Sequence, residues 1–514
     1  MKRFLDSVHG YILIPDEYCD KIIDTVYFQR LRRIEQTSSR SLFPSARHDR
    51  FIHSLGVYYI GSLILEELGK KNDISVDKDK YELITKSYEM ACLLHDIGHS
   101  PFSHTFEDYY SEKECLDDNH NLRNLLINIF KENTTFKNEC KGMLKITPHE
   151  FMGAIIAATE FGQVINDNGG SVELVVRMII GCYYKDIYDY SLENAFIDLI
   201  HGELIDADSL DYVCRDSWAS GYSTVTIDIE RLVSSISICK NKDETYHVCF
   251  SPKAINEISK ALEVKTFQQF NVIYHHTVVY DQKLLVEAMK SAAMYHFDIN
   301  NKNESYRKYL DTYRINVDKD DYKQMRNYAL SQLCNVESMR NTIILPHHNI
   351  PLIHPMDDDF LYLMKFCPKD TYIEQWLSRQ YKLKPLWKSQ AEFYNKFVIL
   401  RDKRLERSSW IFSDKCKRFL MDLLNTEDED KVWICEATPK YKSQFADKIL
   451  VKVENEDDAI PYDKLLPKDR YSYDQTVQPF FYIYVDEGLL KNKGILTIMK
   501  ALNEEVGKYV FTVE

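Results

Sequence analysis

Apolar residues recur at helical spacing through most of the first 300 residues of this chain. The pattern covers residues 54–68, 80–97, 149–164, 171–185, 193–216 and 252–298. An apolar residue every three to four positions forms one stripe on a helix, and such a stripe is buried against a core. The sequence therefore predicts a mainly α fold that begins with a short β-like segment.

The C-terminal part of the chain carries a different pattern. Helical patterns continue through 323–430, and three runs typical of strands follow at 432–435, 449–453 and 479–485. A terminal helix near 487–507 is expected to cover the resulting sheet.

Charged stretches at 299–322 and 427–430 predict two boundaries. They divide the chain into a helical core, a helical extension and a small α/β (β-rich) C-terminal subdomain, at 1–300, 301–430 and 431–514. The polar segment 110–146 is interpreted as an insertion in the core.

Composition excludes several classes of protein. The 514 residues include 65 Lys and Arg against 79 Asp and Glu, a formal net charge of −14, which disfavours non-specific binding to nucleic acid or an anionic membrane. No signal-peptide core and no apolar run of membrane-spanning length is found. The twelve cysteines form no C-x-x-C pair, which favours reduced, mostly buried thiols. These features predict a soluble cytoplasmic protein without a membrane partner.

Histidines concentrate in one segment. His95, His99 and His104 fall within ten residues, and Asp96 follows His95 directly after an apolar run. A buried, ionised Asp96 needs compensation, which a divalent metal supplies. Imidazoles together with carboxylates suit Zn, Mn, Fe, Ni or Co better than Ca or bare Mg.

Two other segments offer further ligands. His53 follows Arg50 by three positions, so a helix that begins near Arg50 would place both on one face. Asp208, Tyr212 and Asp216 recur at i, i+4 and i+8 and form one polar stripe on a helix. Spacing alone does not separate Asp206 from Asp208 as a ligand.

Three motifs carry a resemblance to a known family. They are R-F-I-H-S-L-G-V from Arg50, H-D-x-G-H-x-P-F-S-H from His95 and I-D-x-D-x-x-D-Y-x-x-R-D from Ile205. Together they resemble the HD-domain superfamily and, in detail, its deoxynucleoside triphosphate triphosphohydrolases of the dGTPase and SAMHD1-like branch. The resemblance spans about residues 5–300. It implies a helical HD-domain core that cleaves a dNTP to a deoxynucleoside and intact triphosphate.

The resemblance also implies roles for individual residues. The metal ligands would be His53, His95, Asp96 and Asp208, with Asp208 preferred over Asp206. The catalytic group would be His104 as general acid, Glu107 that orients it, and His99 and His149 near the phosphates. Substrate-binding residues would be Arg50, Gln36, Tyr212, Asp216, Tyr274 and His276. The metal would be Mn, Fe, Zn, Co, Ni or Mg, with a second Mg bound together with the nucleotide.

Six arginines lie in residues 30–50 against only two carboxylates. Arginine suits phosphate because its planar guanidinium binds two oxygens at once. We expect Arg50 on the α-phosphate, whereas Arg30 and Arg33 are expected on a solvated helix face.

A second resemblance concerns regulation. Residues 23–32 resemble the segment that binds an activating guanine nucleotide in the SAMHD1-like branch, with Asp24, Gln29 and Arg32 at the matching positions. The resemblance implies a GTP or dNTP activator between subunits of a homo-oligomer (dimer, tetramer or hexamer). The alternative is an amphipathic helix with exposed polar residues.

Three departures weaken the triphosphate assignment. Ser209 and Thr266 stand where the family has a lysine and an arginine, and Thr37-Ser38-Ser39 replaces the usual glycine pair. The loss of positive charge leaves two alternatives open: hydrolysis of another phosphate ester, such as a nucleoside monophosphate or cyclic nucleotide, and a nucleotide-sensing module with little catalysis. Control of the dNTP pool and antiviral (phage) defence are the contexts implied by relatives.

Overall fold

The computed structural model describes most of the chain. The described residues are 1–71, 74–111, 121–144, 147–202, 205–222, 226–299, 306–307, 322–347, 349–397, 403–405, 409–437, 447–453, 458–465 and 480–512. The chain divides into two compact units. One comprises Met1–Lys265, Met289–Pro368 and Lys442–Ser472, and the other comprises Thr266–Ala288, Lys369–Tyr441 and Tyr473–Glu514.

Helices dominate both units, which confirms the mainly α prediction. The helices up to residue 300 are α1 (Asp16–Tyr18), α2 (Val26–Gln29), α3 (Arg50–Lys71), α4 (Lys78–Leu94), α5 (Leu122–Ile129), α6 (Thr134–Lys141), α7 (Pro148–Glu160), α8 (Gly162–Asp167), α9 (Val172–Ile180), α10 (Ile187–His201), α11 (Ala207–Ser220), α12 (Ile229–Ser234), α13 (Ile255–Gln268) and α14 (His276–His296). Later helices span Tyr322–Leu333, Val336–Arg340, Asp357–Lys365, Thr371–Ser378, Gln390–Lys396, Ser409–Leu424, Glu487–Lys493 and Ile495–Val506.

The strands form small sheets. They are β1 (Lys2–Asp6), β2 (Gly10–Ile14), β3 (Ile236–Lys240), β4 (Tyr246–Phe250), β5 (Ile343–Leu345), β6 (Ile350–Leu352), β7 (Leu383–Pro385), β8 (Lys403–Leu405), β9 (Val432–Ala437), β10 (Leu450–Val451), β11 (Ile460–Pro461), β12 (Phe480–Asp486) and β13 (Val510–Thr512). The β1–β2, β5–β6 and β8–β13 pairs are antiparallel. Larger sheets have the orders β11-β10-β4-β3 and β7-β12-β9.

The first unit buries one large helical core. Its helices α3, α4, α7, α9 and α10 pack together through the apolar stripes that the sequence shows. Representative core side chains, all essentially inaccessible to solvent, are Phe28, Leu55, Ile84, Leu93, Phe151, Val176 and Phe196. Within the segment predicted as an insertion, α5 and α6 contribute Leu126 and Phe136 to this core.

The second unit is built around the antiparallel sheet β7-β12-β9. Strand β12 is buried along almost its whole length, and the helices Ser409–Leu424 and Ile495–Val506 contribute Leu420, Ile498 and Leu502 to the same apolar cluster. The predicted β-rich C-terminal region with a covering helix is therefore present. The predicted run 449–453 does not join this sheet, because Val451 in β10 pairs with Phe250 in β4 of the first unit.

Several local expectations are wrong. Helix α4 ends at Leu94 instead of continuing to Ile97. A serine followed by a proline, as at Ser100-Pro101, is typical of a helix start, but no helix begins there, and the chain forms a tight turn closed by a Ser100–Ser103 bridge. Cys239 and Cys249 are joined by a disulfide across β3 and β4, so the expectation of reduced thiols fails for this pair. The boundaries near 300 and 430 stay predictions.

Among the described helices, none combines the length and the apolar content needed to cross a lipid bilayer.

Two glycines of α3 provide a matched test of close packing. A Cβ at Gly56 would collide with the carboxylate of Asp211 and the guanidinium of Arg215, whereas a Cβ at the exposed Gly69 meets no atom within 4 Å. We expect Gly56→Ala to lower the free energy of unfolding by about 1–3 kcal/mol through overpacking. Gly69→Ala should raise it by roughly 0.5–1 kcal/mol, because alanine favours a helix interior.

Urea unfolding followed by far-UV circular dichroism measures both effects. Equal midpoints for the two variants would contradict the tight contact between α3 and α11 at Gly56.

Candidate metal and catalytic centre

Three segments bring the first group of side chains together. Helix α3 begins at Arg50, which fulfils the condition for placing Arg50 and His53 on one face, because the Asp49 carboxylate accepts the N–H of Ile52 at 3.0 Å and caps the helix. This start places His53 one turn inside α3. His95 closes the C-terminal end of α4, Asp96 follows in the turn, and Asp208 lies in the first turn of α11.

Three of the four predicted metal ligands, His53, His95 and Asp208, bring their ligand atoms together, and Asp96 lies beside them. The Nε2 atoms of His53 and His95 lie 3.3 Å apart. An Asp208 oxygen lies 3.0 Å from His53 Nε2 and 3.7 Å from His95 Nε2. The Asp96 oxygens lie 3.4 Å from His53 Nε2 and 3.5 Å from His95 Nε2. Groups spread over 155 positions of the sequence are therefore brought close together.

The donor set fits a divalent transition metal. His95 Nδ1 bonds the carbonyl of Cys92 at 3.0 Å and His53 Nδ1 bonds Asp211 at 2.7 Å, so both Nε2 atoms point to the centre. Two imidazoles and two carboxylates are ligands that Mn, Fe, Co, Ni and Zn accept. Burial acts against a charged imidazole, yet hydrogen bonds to Asp208 and Asp211 raise the pKa of His53 to about 10. The centre therefore favours a cation.

A second layer of charged groups orients His53. Asp211 is fully buried and accepts hydrogen bonds from Arg215 Nε at 2.8 Å and from His9 at 2.6 Å. Arg215 continues to Asp6 at the end of β1, also at 2.8 Å. A carboxylate behind a ligating histidine fixes its tautomer and its ring orientation. Sequence reasoning assigned no role to His9 or Asp211, which lie about 200 residues apart.

Asp96 is held from two sides. Arg50 Nη1 lies 2.6 Å from Asp96 Oδ2, and His99 Nε2 lies 3.0 Å from Oδ1. Burial acts to raise the pKa of Asp96, but the charges of Arg50 and His95 outweigh it and hold this pKa well below its usual range. Arg50 Nε also donates to Ser103 Oγ at 3.0 Å. The predicted phosphate contact Arg50 is thus 4% exposed and bound to groups of the protein.

The four predicted catalytic residues form a neighbouring cluster. His104 Nδ1 lies 2.9 Å from one oxygen of Glu107, and His149 Nδ1 bonds the other oxygen. The ring of His99 stacks on that of His149 with centroids 3.9 Å apart. The Glu107 carboxylate is largely buried, whereas the His104 side chain is 57% exposed. Only His104 of this cluster presents most of its ring to solvent.

Burial and hydrogen bonding favour different protonation states for Glu107 and for the two buried histidines of this cluster. Although burial opposes it, hydrogen bonds from His104 and His149 hold the pKa of Glu107 well below its usual range. Burial lowers the pKa of His99 and His149, so both imidazoles are neutral near pH 7. The cluster therefore pairs an ionised carboxylate with an exposed imidazole that it orients.

Gly98 brings the two clusters into contact. A Cβ at this position would overlap the backbone N of Gly153 and the carbonyl oxygen of His149 on α7. The turn after α4 consequently packs directly on α7, and His149 reaches His99 and Glu107. A glycine after a helical pattern predicts the end of the helix. In the structure Gly98 instead allows the turn after α4 to approach α7 closely.

The predicted substrate residues of the first unit flank the metal ligands. Asp216 Oδ1 bonds His48 Nε2 at 2.6 Å. Tyr212 lies under Lys265, with Nζ 5.6 Å from the ring centroid. The Oε1 atom of Gln36 is buried without a hydrogen-bond partner in the described part of the chain. Sequence reasoning assigned no role to His48 or to Lys265, which directly precedes Thr266.

The structure separates Asp206 from Asp208. Asp206 is the N-cap of α11 and forms a reciprocal capping box with Ser209, in which Asp206 Oδ1 accepts the N–H of Ser209 at 2.6 Å. Asp208, two residues further in the first turn of α11, faces His53. Burial raises the pKa of Asp206 to about 7. Ser209, the departure from the family lysine, is buried in this cap.

Tyr274 and His276 lie in the second unit. Their backbone carbonyls accept hydrogen bonds from the hydroxyls of Tyr482 at 3.0 Å and Tyr484 at 2.6 Å. Burial lowers the pKa of His276 to about 4.

The predicted regulatory residues have partners within the protein. Asp24 pairs with Lys2 at 2.7 Å, and Arg32 Nε donates to Gln29 Oε1 at 2.9 Å. Arg32 also lies 3.5 Å over the ring of Phe51. The expectation of a solvated face holds for Arg33 but is wrong for Arg30, which is 4% exposed.

Comparisons with known proteins agree with the motif. Residues 50–160 match the family model described as HD domain. The protein YwfO of Bacillus subtilis, described as uncharacterized, is 31% identical over 233 residues, 45% of this chain and 43% of that protein. The deoxynucleoside triphosphate triphosphohydrolase SAMHD1 homolog of Dictyostelium discoideum is 27% identical over 286 residues, 53% of this chain and 46% of the relative. The matches thus span less than half of each of these relatives.

A solved structure shares the fold. The crystal structure of a phosphohydrolase from Bacteroides thetaiotaomicron VPI-5482 superimposes with a TM-score of 0.58 at 18% identity, over 95% of this chain and all of that one.

Asp208 and Asp206 provide a matched test of the metal centre. We expect Asp208→Asn to weaken divalent-metal binding by more than the roughly 10- to 100-fold that loss of a second-layer partner causes. Asp206→Asn should retain the metal, because asparagine is also a good N-cap. Metal content per chain after dialysis, measured by mass spectrometry, distinguishes the two; equal loss in both variants would contradict the assignment.

Proposed function

We propose that this chain, which carries an HD domain, is a divalent-metal-dependent phosphohydrolase that cleaves dNTPs to deoxynucleoside and triphosphate. The observation that carries the proposal is the convergence of His53, His95, Asp96 and Asp208 beside the His104–Glu107 pair. The first group fits a cation, and the second fits proton transfer. Hydrolysis of a phosphate ester needs both functions in adjacent places.

A divalent cation at the His53 centre would supply Lewis-acid polarisation of a phosphoryl oxygen. In the proposed reaction a water attacks the α-phosphorus and the bond from phosphorus to the 5′-oxygen breaks. His104 Nδ1 is held by Glu107, so Nε2, which lies 3.4 Å from Arg50 Nη2, is the atom from which His104 donates a proton to the leaving 5′-oxygen. Glu107 keeps its negative charge throughout and stabilises the protonated form of His104. His149 shares Glu107 and limits rotation of the carboxylate.

The substrate carries about four negative charges, and the chain must balance them. Arg50 is bound to Asp96, and the neutral His99 and His149 offer hydrogen bonds and no charge. Lys265, which is buried and lies over the Tyr212 ring, directly precedes Thr266 and is proposed as one cation near the phosphate chain. We assign Lys265, Tyr212, Asp216 and Gln36 to the nucleotide pocket.

The relatives support the substrate class. The Dictyostelium discoideum and Gallus gallus proteins that match 53% and 57% of this chain bear the name deoxynucleoside triphosphate triphosphohydrolase. Tyr274 and His276 are proposed as substrate-binding residues on the resemblance alone.

One observation favours a second candidate function, hydrolysis of another phosphate ester such as a nucleoside monophosphate or cyclic nucleotide. Ser209 is buried in the α11 cap and Arg50 is bound to Asp96, so fewer cations are available than for a triphosphate. A substrate with one phosphate needs less positive charge.

Regulation and context extend the proposal. Asp24, Gln29 and Arg32 are proposed to bind an activating GTP or dNTP in a homo-oligomer, which would serve control of the dNTP pool or antiviral defence. Asp24 and Arg32 are exposed and Gln29 is partly exposed, and a nucleotide would exchange with Lys2 as partner of Asp24.

The function is tested by product analysis. Incubation with each dNTP and Mn²⁺, singly and in mixtures, is expected to release deoxynucleoside and tripolyphosphate, and chelation by EDTA should abolish release. Chromatography of both products checks this. Release of monophosphate and pyrophosphate, or activity confined to nucleoside monophosphates or cyclic nucleotides, would overturn the triphosphohydrolase assignment. Activity that appears only in mixtures supports an activator.

Replacement of His104 tests the proton donor. His104→Gln should lower kcat by about 10²- to 10⁴-fold, the usual contribution of general acid catalysis, with metal content unchanged. His247→Gln, on β4 and hydrogen-bonded to Thr245, is the matched control and should retain full activity. Full activity of His104→Gln in steady-state assays would contradict the assigned role.

A further inference from the structure

The segment between the two histidine clusters contains an unusual backbone conformation. φ is 55° at Phe102 and 61° at Ser103, two consecutive non-glycine residues in the left-handed region. This conformation is unfavourable for a residue with a Cβ and persists only where surrounding contacts impose it. The contacts at this turn therefore decide where the next residue, His104, is placed.

Asp357 makes the most direct of these contacts. It is the first residue of the helix Asp357–Lys365, far along the chain from residues 50–160, and it is 6% exposed. Its Oδ1 accepts the backbone N–H of Phe102 at 2.6 Å, and its Oδ2 accepts the N–H of Glu35 at 2.9 Å. One buried carboxylate thus joins the left-handed turn to the chain beside Gln36.

Arg30 connects the residues just before the Phe102–Ser103 turn with the residues just before Asp357. Its guanidinium donates to the carbonyls of Ile97 at 3.3 Å and of His99, and its Nε donates to the carbonyl of Pro355 at 3.1 Å. Pro355 lies two residues before Asp357. The turn is therefore tied to residues 355–357 by a buried cation on one side and a buried carboxylate on the other.

Apolar contacts add to these ties. The ring of Phe360, one turn into the Asp357 helix, lies 6.4 Å from the ring of Phe102 and 5.2 Å from that of Phe106, measured between centroids. Aromatic pairs at these separations are favourable beyond their buried area. The Asp357 helix therefore covers both ends of the segment that contains His104.

We propose that Asp357 is a positioning residue that holds the Phe102–Ser103 turn in its left-handed form and so sets the place of His104; this inference rests on the proposed function of His104. Burial raises the pKa of Asp357 to about 7, but the N–H groups of Phe102 and Glu35 favour the ionised form, in which each oxygen accepts one N–H. The amide of asparagine offers one accepting oxygen and places an NH₂ group opposite the other N–H. Asp357→Asn keeps the side-chain volume and removes one acceptor.

The test compares Asp357→Asn with Asp358→Asn. Asp358 is the adjacent residue, its side chain is 64% exposed, and its contact is the exposed Arg33 at 3.4 Å, so it serves as the matched control. Three quantities are measured on the full-length protein: hydrogen exchange of peptides covering 97–106, metal content, and steady-state kinetics.

We expect faster exchange at 97–106 in Asp357→Asn, unchanged metal content, and kcat lowered by about 10- to 100-fold, as a misplaced catalytic group gives. KM should change little, because the lost contact does not touch substrate. Asp358→Asn should match the unmodified protein in all three.

The other outcomes decide against the proposal or against its premise. Unchanged exchange and kcat in Asp357→Asn would overturn it, and so would an increase in exchange spread evenly over the first unit, since that indicates a general structural role. If the unmodified protein hydrolyses no nucleotide, the proposed function fails. Hydrogen exchange at 97–106 then remains as the test of whether Asp357 holds the Phe102–Ser103 turn. If Asp357→Asn does not fold, slow exchange of the Phe102 amide in the unmodified protein supports the tie, and fast exchange contradicts it.

Discussion

The first unit depends on the neutralisation of carboxylates gathered around His53. Asp211 is fully buried behind this ring, Asp96 is buried beside it, and Asp208 faces it. Isolated buried carboxylates are strongly unfavourable, so each needs a cation or several hydrogen bonds. Arg215 forms an ion pair with Asp211, and Arg50 forms an ion pair with Asp96. The remaining negative charge at the Nε2 side of His53 is what makes the centre suited to a metal ion.

The same interactions join the metal centre to the proton-transfer pair. Asp96 contacts His99, the ring of His99 stacks on that of His149, and Glu107 binds both His149 and His104. A shift in any member changes the orientation of the next, because each group contacts the next directly. The positions of the candidate metal ligands and of His104 are consequently coupled through side chains between residues 96 and 149.

Sequence patterns located most elements of this arrangement. The start of α3 at Arg50 and the polar stripe on α11 follow from local spacing, which depends only on helix geometry. The turn after α4 could not be predicted in the same way. Ser100-Pro101 satisfies the local rule for a helix start, but contacts from Asp357, Arg30 and Gly153 impose a tight turn instead. Arg30 was expected in solvent because spacing does not tell which distant segment covers a side chain.

The sequence by itself determined the mainly helical architecture, which follows from periodicity, and the concentration of histidines at 95–104. The candidate ligand set and the pairing of His104 with Glu107 came from the resemblance of the motifs to a known family. Tertiary structure alone decided that Asp208 faces His53 while Asp206 caps α11, that Arg50 is bound to Asp96, and that His9 and Asp357 support the site from outside residues 50–160. The physical reason is that burial and charge pairing depend on neighbours hundreds of residues away, whereas helix geometry acts within a few turns.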